Sequence, residues 1–119
     1  MKRTLAIIIM VVSLLPIQVN ARTCIDMGQF KLTAYCPCEE CSEGWGRHTH
    51  SGKTARAGHT VAADLSLMNL GDKITIDGKE FIVEDSGGAV KGEVIDIFFD
   101  THEEVEQFGV RYGDVKIWR

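Results

Sequence analysis

The chain has no excess of positive charge: 13 lysines and arginines stand against 17 aspartates and glutamates in 119 residues. Nothing in that balance builds a basic footprint for a phosphate backbone, so no nucleic-acid partner is expected. Repeats, low-complexity tracts and linker-like segments are also lacking. So is an apolar run long enough for a bilayer. The opening "MKRTLAIIIMVVSLLPIQVNA" is apolar from Leu5 to Leu15, but Pro16, Gln18 and Asn20 interrupt it well short of the ~20 residues a spanning helix needs. With Lys2 and Arg3 ahead of it and small Ala21 behind, it reads as a secretory signal, residues 1–21, cleaved near Ala21. The protein is then exported to the cell envelope or beyond, with membrane association only through an uncleaved segment. Loss of Lys2 and Arg3 leaves eleven basic against seventeen acidic side chains, about −6. Residues 22–119 are enough for one domain with a single core and too few for two.

What remains alternates in apolar character. Strands are expected at Gln29 to Tyr35, Thr60 to Asp64, two runs within Lys73 to Glu84, Val94 to Phe99, and Asp114 to Trp118. Asp77-Gly78 between the third and fourth tolerates the positive φ of a tight type I′ hairpin turn. One short helix is expected at "DTHEEVEQFG": Thr101 is its N-cap, Glu104 the capping-box partner, Val105 and Phe108 the apolar pair, and Gly109 the stop. Six strands, one helix and many glycines argue for an all-β fold, a small closed barrel.

Acidic residues interrupt two of the most apolar runs. In "VIDIFF", Asp96 shares a face with Val94 and Phe98, and either face is otherwise apolar. A carboxyl there loses water, which raises its pKa towards the range a proton donor needs. The plain alternative is an aspartate that caps a loop or meets Lys91. Asp85 closes "FIVED" and leads into Ser86-Gly87-Gly88, where glycines let backbone N–H groups approach a ligand. Asp64 ends "TVAAD" in the same way. Turn formation is the ordinary role for each, and Asp72, Asp77, Asp100 and Asp114 are assigned to it.

The segments "TAYCPCEEC", "SGKTARAGHTVAAD", "EDSGGAVKGEVIDIFF" and "VKIW" together resemble the 3D domain, named for three aspartates, over Thr33 to Trp118. The resemblance implies a double-psi β-barrel related to the catalytic barrel of the membrane-bound lytic transglycosylases of the A type and to stationary-phase survival muralytic proteins. Those enzymes cleave the β-1,4 bond between N-acetylmuramic acid and N-acetylglucosamine and leave a 1,6-anhydro end. On this sequence the three aspartates fall on Asp64, Asp85 and Asp96, with Asp96 as the expected acid/base. Gly87, Gly88, Lys91 and, more weakly, Thr54 are expected to bind sugar. Glycan strands of peptidoglycan are the expected partner, no cofactor is needed, and a weak homodimer is left open. The chain departs from the family after Asp64: where a Pro and an "IPLG"-like turn are expected it reads "DLSLMNLGD".

Cys24, Cys36, Cys38 and Cys41 crowd residues 24–41. An even count in an exported chain reads first as two disulfides. The rival is a metal site of all four thiolates, or of cysteines with histidines, since Cys38-x-x-Cys41 has ligand spacing and His48 and His50 come soon after. His59 and His102 are expected at the surface or in caps, Trp45 against the cysteine loop or on a sugar, and Trp118 in the core. A barrel that binds peptidoglycan or a protein without cutting, and a metal- or redox-responsive protein, are the competing functional readings.

Overall fold

Apolar alternation becomes pairing wherever a second strand can cover it, and six segments achieve this. The computed structural model describes residues 6–16 and 22–119. In chain order the elements are β1 (Cys24–Tyr35), α1 (Glu39–Ser42), β2 (Thr60–Ala63), β3 (Lys73–Ile76), β4 (Lys79–Asp85), β5 (Val94–Phe98), α2 (His102–Phe108) and β6 (Arg111–Trp118). The strands close into a ring ordered β1-β5-β2-β4-β3-β6. Pairs β1/β5 and β2/β4 are parallel, and the other four are antiparallel. The fold is therefore mostly β, with two short helices where one was expected. Residues 6–16 have no regular secondary structure and lie exposed. Among the described residues no helix is long and apolar enough to cross a membrane. The expected cleavage position at Ala21 lies outside the described residues.

Inward-facing residues from every strand, among them Phe30, Val61, Ile74, Val83, Ile95 and Ile117, fill the ring as a packed core. A six-stranded barrel leaves no room for more, so any ligand must be met on the outside. A second, smaller cluster of Tyr35, Ala55, Ala62, Val90 and Phe98 lies on the outer face. It covers the sheet where β1, β5 and β2 run side by side.

The local signals account for most boundaries. Asp77 (φ 48°) and Gly78 (φ 85°) form the expected hairpin turn. The Thr101 hydroxyl accepts from the Glu104 N–H and donates to its carboxylate, which starts α2. Strand β1 begins five residues earlier than expected: its exposed first half pairs with β6 across a bulge between Asp26 and Gly28, so it lacks the two-sided burial that marks a strand in sequence. Helix α1 is a single turn capped by a cysteine thiol, too short for any periodicity to show. Trp118, expected in the core, is half-buried at the end of β6. Ile117 takes the inward position, so Trp118 points outward and its Nε1 donates to the Thr75 hydroxyl at 3.1 Å.

Gly113 has the least room for a side chain among the described glycines. It sits opposite Phe30 on β6, and a β-carbon there would lie 2.8 Å from Asp77 Oδ2, 3.0 Å from Leu32 Cδ1 and 3.2 Å from Ile76 Cγ2. Asp77 cannot swing freely, because its other oxygen accepts from the Asp114 N–H at 2.9 Å. Gly113→Ala is expected to lower stability by about 1–3 kcal/mol through overpacking. Chemical denaturation against the parent measures this, and an unchanged midpoint would show that Asp77 yields without cost.

Candidate functional site

Four strands set one row of residues on the outer face. Thr33 on β1 is in register with Asp96 on β5, Asp96 with Ala62 on β2, and Ala62 with Asp85 on β4. The two aspartates thus flank the smallest side chain of the row, separated by two strand spacings, about 10 Å between backbones. The match depends on a bulge. Val61 pairs with Val83, but the next residue, Ala62, pairs with Asp85, so Glu84 is the extra residue of β4. Glu84 turns its buried carboxylate to the Thr60 hydroxyl (2.7 Å) and to His59 Nε2 (3.3 Å). His59 is therefore half-buried against Glu84 rather than a surface or capping residue.

Asp96 is half-buried between Val94 and Phe98, as alternation requires. Burial pushes its carboxyl up to about 6 against an opposing hydrogen bond from Thr33 Oγ1 at 2.9 Å, and the charge of Asp85 adds to the rise. A carboxyl poised there can both give and take a proton near neutral pH. Asp85 is held from three sides: Oδ2 accepts from the Tyr35 hydroxyl (2.9 Å), and Oδ1 from the His50 (3.0 Å) and Ser86 (2.9 Å) N–H groups. Tyr35 starts on β1 and reaches over β5 and β2 to do so, its ring packed edge-on against Phe98 at 5.3 Å. Burial first, and then Asp85, raise its phenol well above the usual range, so it stays a donor.

Asp64 is different. Its Oδ1 accepts from the Ser66 N–H and hydroxyl and its Oδ2 from the Gly92 N–H, bonds that hold its carboxyl down to about 2. It ties the loop after β2 to the loop before β5. The departure from the expected Pro-containing turn is absorbed here, because Asp64 and Ser66 make the turn that brings Met68 back into the core.

The glycan-binding candidates are more scattered. Gly87 and Gly88 come after Asp85 in the turn to β5. A β-carbon at Gly87 would meet Val90 at 3.2 Å, whereas Gly88 faces open space. Lys91 is exposed and contributes to the low pKa of Asp64. Thr54 is exposed and bridges to His48 in the loop whose His50 holds Asp85 and Ser86. Trp45 is exposed. Two concavities, about 510 Å³ beside Lys73, Asp77, Lys116 and Trp118 and about 470 Å³ beside Phe81, Phe99, Phe108 and Tyr112, are lined by none of the three aspartates. The aspartate row is the better candidate, because among the described residues it combines apolar surroundings with a carboxyl raised by burial.

Three of the four cysteines converge on a histidine outside the expected set. Cys36, Cys38, Cys41 and His102 bring their ligand atoms within 4.8 Å of one another. Cys24 is at the far end of β1, paired with Trp118. A disulfide needs Cα atoms within about 7 Å, so two intrachain bridges, which would have to include Cys24, do not fit this arrangement. No sulfur–sulfur bond joins any two of the four in this arrangement. His48 and His50 belong to the loop at Asp85 instead.

The 3D domain family matches residues 59–119, just over half the chain. The chain belongs to the 3D-domain family. It is 34% identical over 58 residues to the cell wall-binding protein YocH of Bacillus subtilis (strain 168), a match covering 48% of this chain and 20% of YocH. It is 32% identical over 90 residues to YabE of the same organism, a protein named for cell wall shaping, covering 71% of this chain and 21% of YabE. The chain thus spans about a fifth of the length of these curated relatives. Its fold is similar to that of MltA from E. coli, with a TM-score of 0.55 at 20% identity, over 60% of this chain and 27% of MltA.

Asp96 holds its proton more tightly in the fold than in the unfolded chain, so ionising it costs stability. The cost is absent below the ordinary value of 3.8, grows as pH rises to about 6, and is constant above. Asp96→Asn removes it. The variant is expected to gain on the order of 2–3 kcal/mol relative to the parent between pH 4 and pH 7.5. Urea unfolding of both proteins at the two pH values reads this directly, and a parent–variant gap independent of pH would mean that Asp96 ionises freely.

Proposed function

We propose that this 3D-domain protein is a cell-envelope enzyme that cleaves the β-1,4 bond between N-acetylmuramic acid and N-acetylglucosamine in peptidoglycan, with Asp96 as general acid and base. The observation that carries the reading is Asp96 itself: a half-buried carboxyl raised to about 6 on an outer face, steadied by Thr33. Two parallel strand pairs within one closed ring support its finer classification as a double-psi barrel. The names of YocH and YabE support the envelope location and the glycan partner.

Hydrolysis of a glycosidic bond usually calls on two carboxyls, one of them a nucleophile or a base for water. Intramolecular transglycosylation asks for less. Protonated Asp96 gives its proton to the glycosidic oxygen as the bond to C1 breaks. As carboxylate it then takes the proton from the C6 hydroxyl of the same muramic residue, whose oxygen closes on C1. One group serves both steps, provided its pKa lies near the working pH. Asp85, fixed by Tyr35, His50 and Ser86, supplies the negative neighbour that favours the protonated acid, and Ala62 leaves space between the two. Asp64 positions the adjoining loops and takes no part in proton transfer, because its oxygens are occupied by Ser66 and Gly92. Gly87, Gly88, Lys91 and Thr54, in the loops next to Asp85 and Asp64, are the sugar contacts in this reading.

The purified protein and Asp96→Asn, each incubated with purified sacculi, are expected to differ in soluble products analysed by mass spectrometry. Anhydromuropeptides should come from the parent and fall by roughly a hundredfold or more in the variant, the size of a lost general acid. The parent's rate should decline as pH rises through about 6, where Asp96 loses its proton. Products from the variant at the parent's rate would remove Asp96 from the mechanism. Binding without cleavage is the second reading, favoured by the name of YocH. Sacculus cosedimentation with no product from the parent, beside an active control enzyme, would select it.

A further inference from the structure

We propose that Cys36, Cys38, Cys41 and His102 bind one zinc ion as a Cys₃His structural site that fastens the start of α2 to the end of β1. The distances fit such an ion. With Zn–S near 2.3 Å and Zn–N near 2.0–2.1 Å, a tetrahedral site has S···N edges of about 3.6 Å and S···S edges of about 3.8 Å. His102 Nδ1 lies 3.8 Å from Cys36 Sγ, 3.7 Å from Cys38 Sγ and 3.4 Å from Cys41 Sγ. The Cys36–Cys38 sulfurs, 3.2 Å apart, are an edge that must open by about 0.6 Å on binding.

Two further contacts have the form of the outer shell that metal sites carry. A metal-bound histidine usually gives its second ring N–H to a carboxylate, which fixes its tautomer. His102 Nε2 lies 3.3 Å from Glu106 Oε1, one helical turn on, which leaves Nδ1 facing the thiols. The Cys41 N–H points at Cys38 Sγ at 3.4 Å, a bond that suits a thiolate. The ligand chemistry, three soft sulfurs and one imidazole, favours zinc over calcium or magnesium, which require oxygen. Binding would release the protons of the three thiols and needs no redox partner.

The test is metal content and spectrum of the purified protein, independent of any lytic activity. One zinc per chain is expected, replaceable by cobalt(II) with the intense visible bands of a tetrahedral site and sulfur-to-cobalt charge transfer in the near ultraviolet. Cys38→Ser should lose the metal, and Cys24→Ser should keep it. Should Cys38→Ser fail to fold, Glu106→Gln provides the milder probe: stoichiometry kept, zinc affinity reduced by roughly 10–100-fold in chelator competition. Chelation should lower Tm in the parent. Zinc-free protein that takes up no cobalt, a mass lower by two hydrogens from a bridge within the cluster, or a metal lost in Cys24→Ser would each overturn the proposal.

Discussion

Between Val61 and Ala62 the β2/β4 ladder slips by one residue, and that slip decides which acid faces the outside of the barrel. In an unbroken ladder Glu84 would stand opposite Ala62 and Asp85 would turn away, since a one-residue shift exchanges the faces of a strand. With the bulge, Glu84 is absorbed by Thr60 and His59 at the edge of the core, and Asp85 joins Asp96 on either side of Ala62. Bulges commonly re-aim a side chain beside a functional site. Here the two consequences are linked, because the bulged Glu84 finds the Thr60 hydroxyl and His59 as partners for its buried carboxylate.

The barrel fixes what the outer row can be. Its interior is filled by aliphatic side chains with Phe30, Phe81 and Met68, so it presents a rigid wall rather than a cavity. A rigid wall can carry a desolvated acid at a cost that a mobile loop would relax away. Asp96 is held by strands on both sides and by Phe98 and Val94 along its own, and the single hydrogen bond from Thr33 is too little to restore its solvation. Asp85, by contrast, stands at the end of β4 where loop N–H groups reach it. Two carboxyls on the same face are thereby given unlike surroundings, the condition under which acid and neighbour acquire separate roles.

The sequence displayed whatever depends on neighbours in the chain. Alternation located the strands and put Asp96 on a face with Val94 and Phe98, Asp77-Gly78 marked the hairpin, and Thr101 with Glu104 marked α2. Thr33, Tyr35 and Glu84 escaped notice because their meaning lies in pairings across the barrel. Tyr35 finds Asp85 fifty residues away, and Thr33 finds Asp96 sixty-three away. His102 was hidden for the same reason. Its one local hint is Glu106 a helical turn later, a spacing common on any solvated helix. Cys24 misled in the opposite direction, since proximity along the chain placed it with cysteines from which a full strand separates it.

The parallel pairing of β1 with β5 explains why the acidic row and the cysteine cluster are neighbours. Parallel strands end on the same edge, so the segment leaving Tyr35 meets the segment leaving Phe98, its partner in register. Cys36 comes directly after Tyr35, and His102 comes four residues after Phe98, at the first turn of α2. An antiparallel pair would have sent them to opposite ends of the barrel. The strands that give Asp96 its apolar flank and Asp85 its Tyr35 hydroxyl therefore run straight into the cluster, with Tyr35 and Cys36 joined by a single peptide bond. Of the three groups that hold Asp85, Tyr35 is the one that adjoins the cysteine loop, while His50 and Ser86 hold it from the other side of the row.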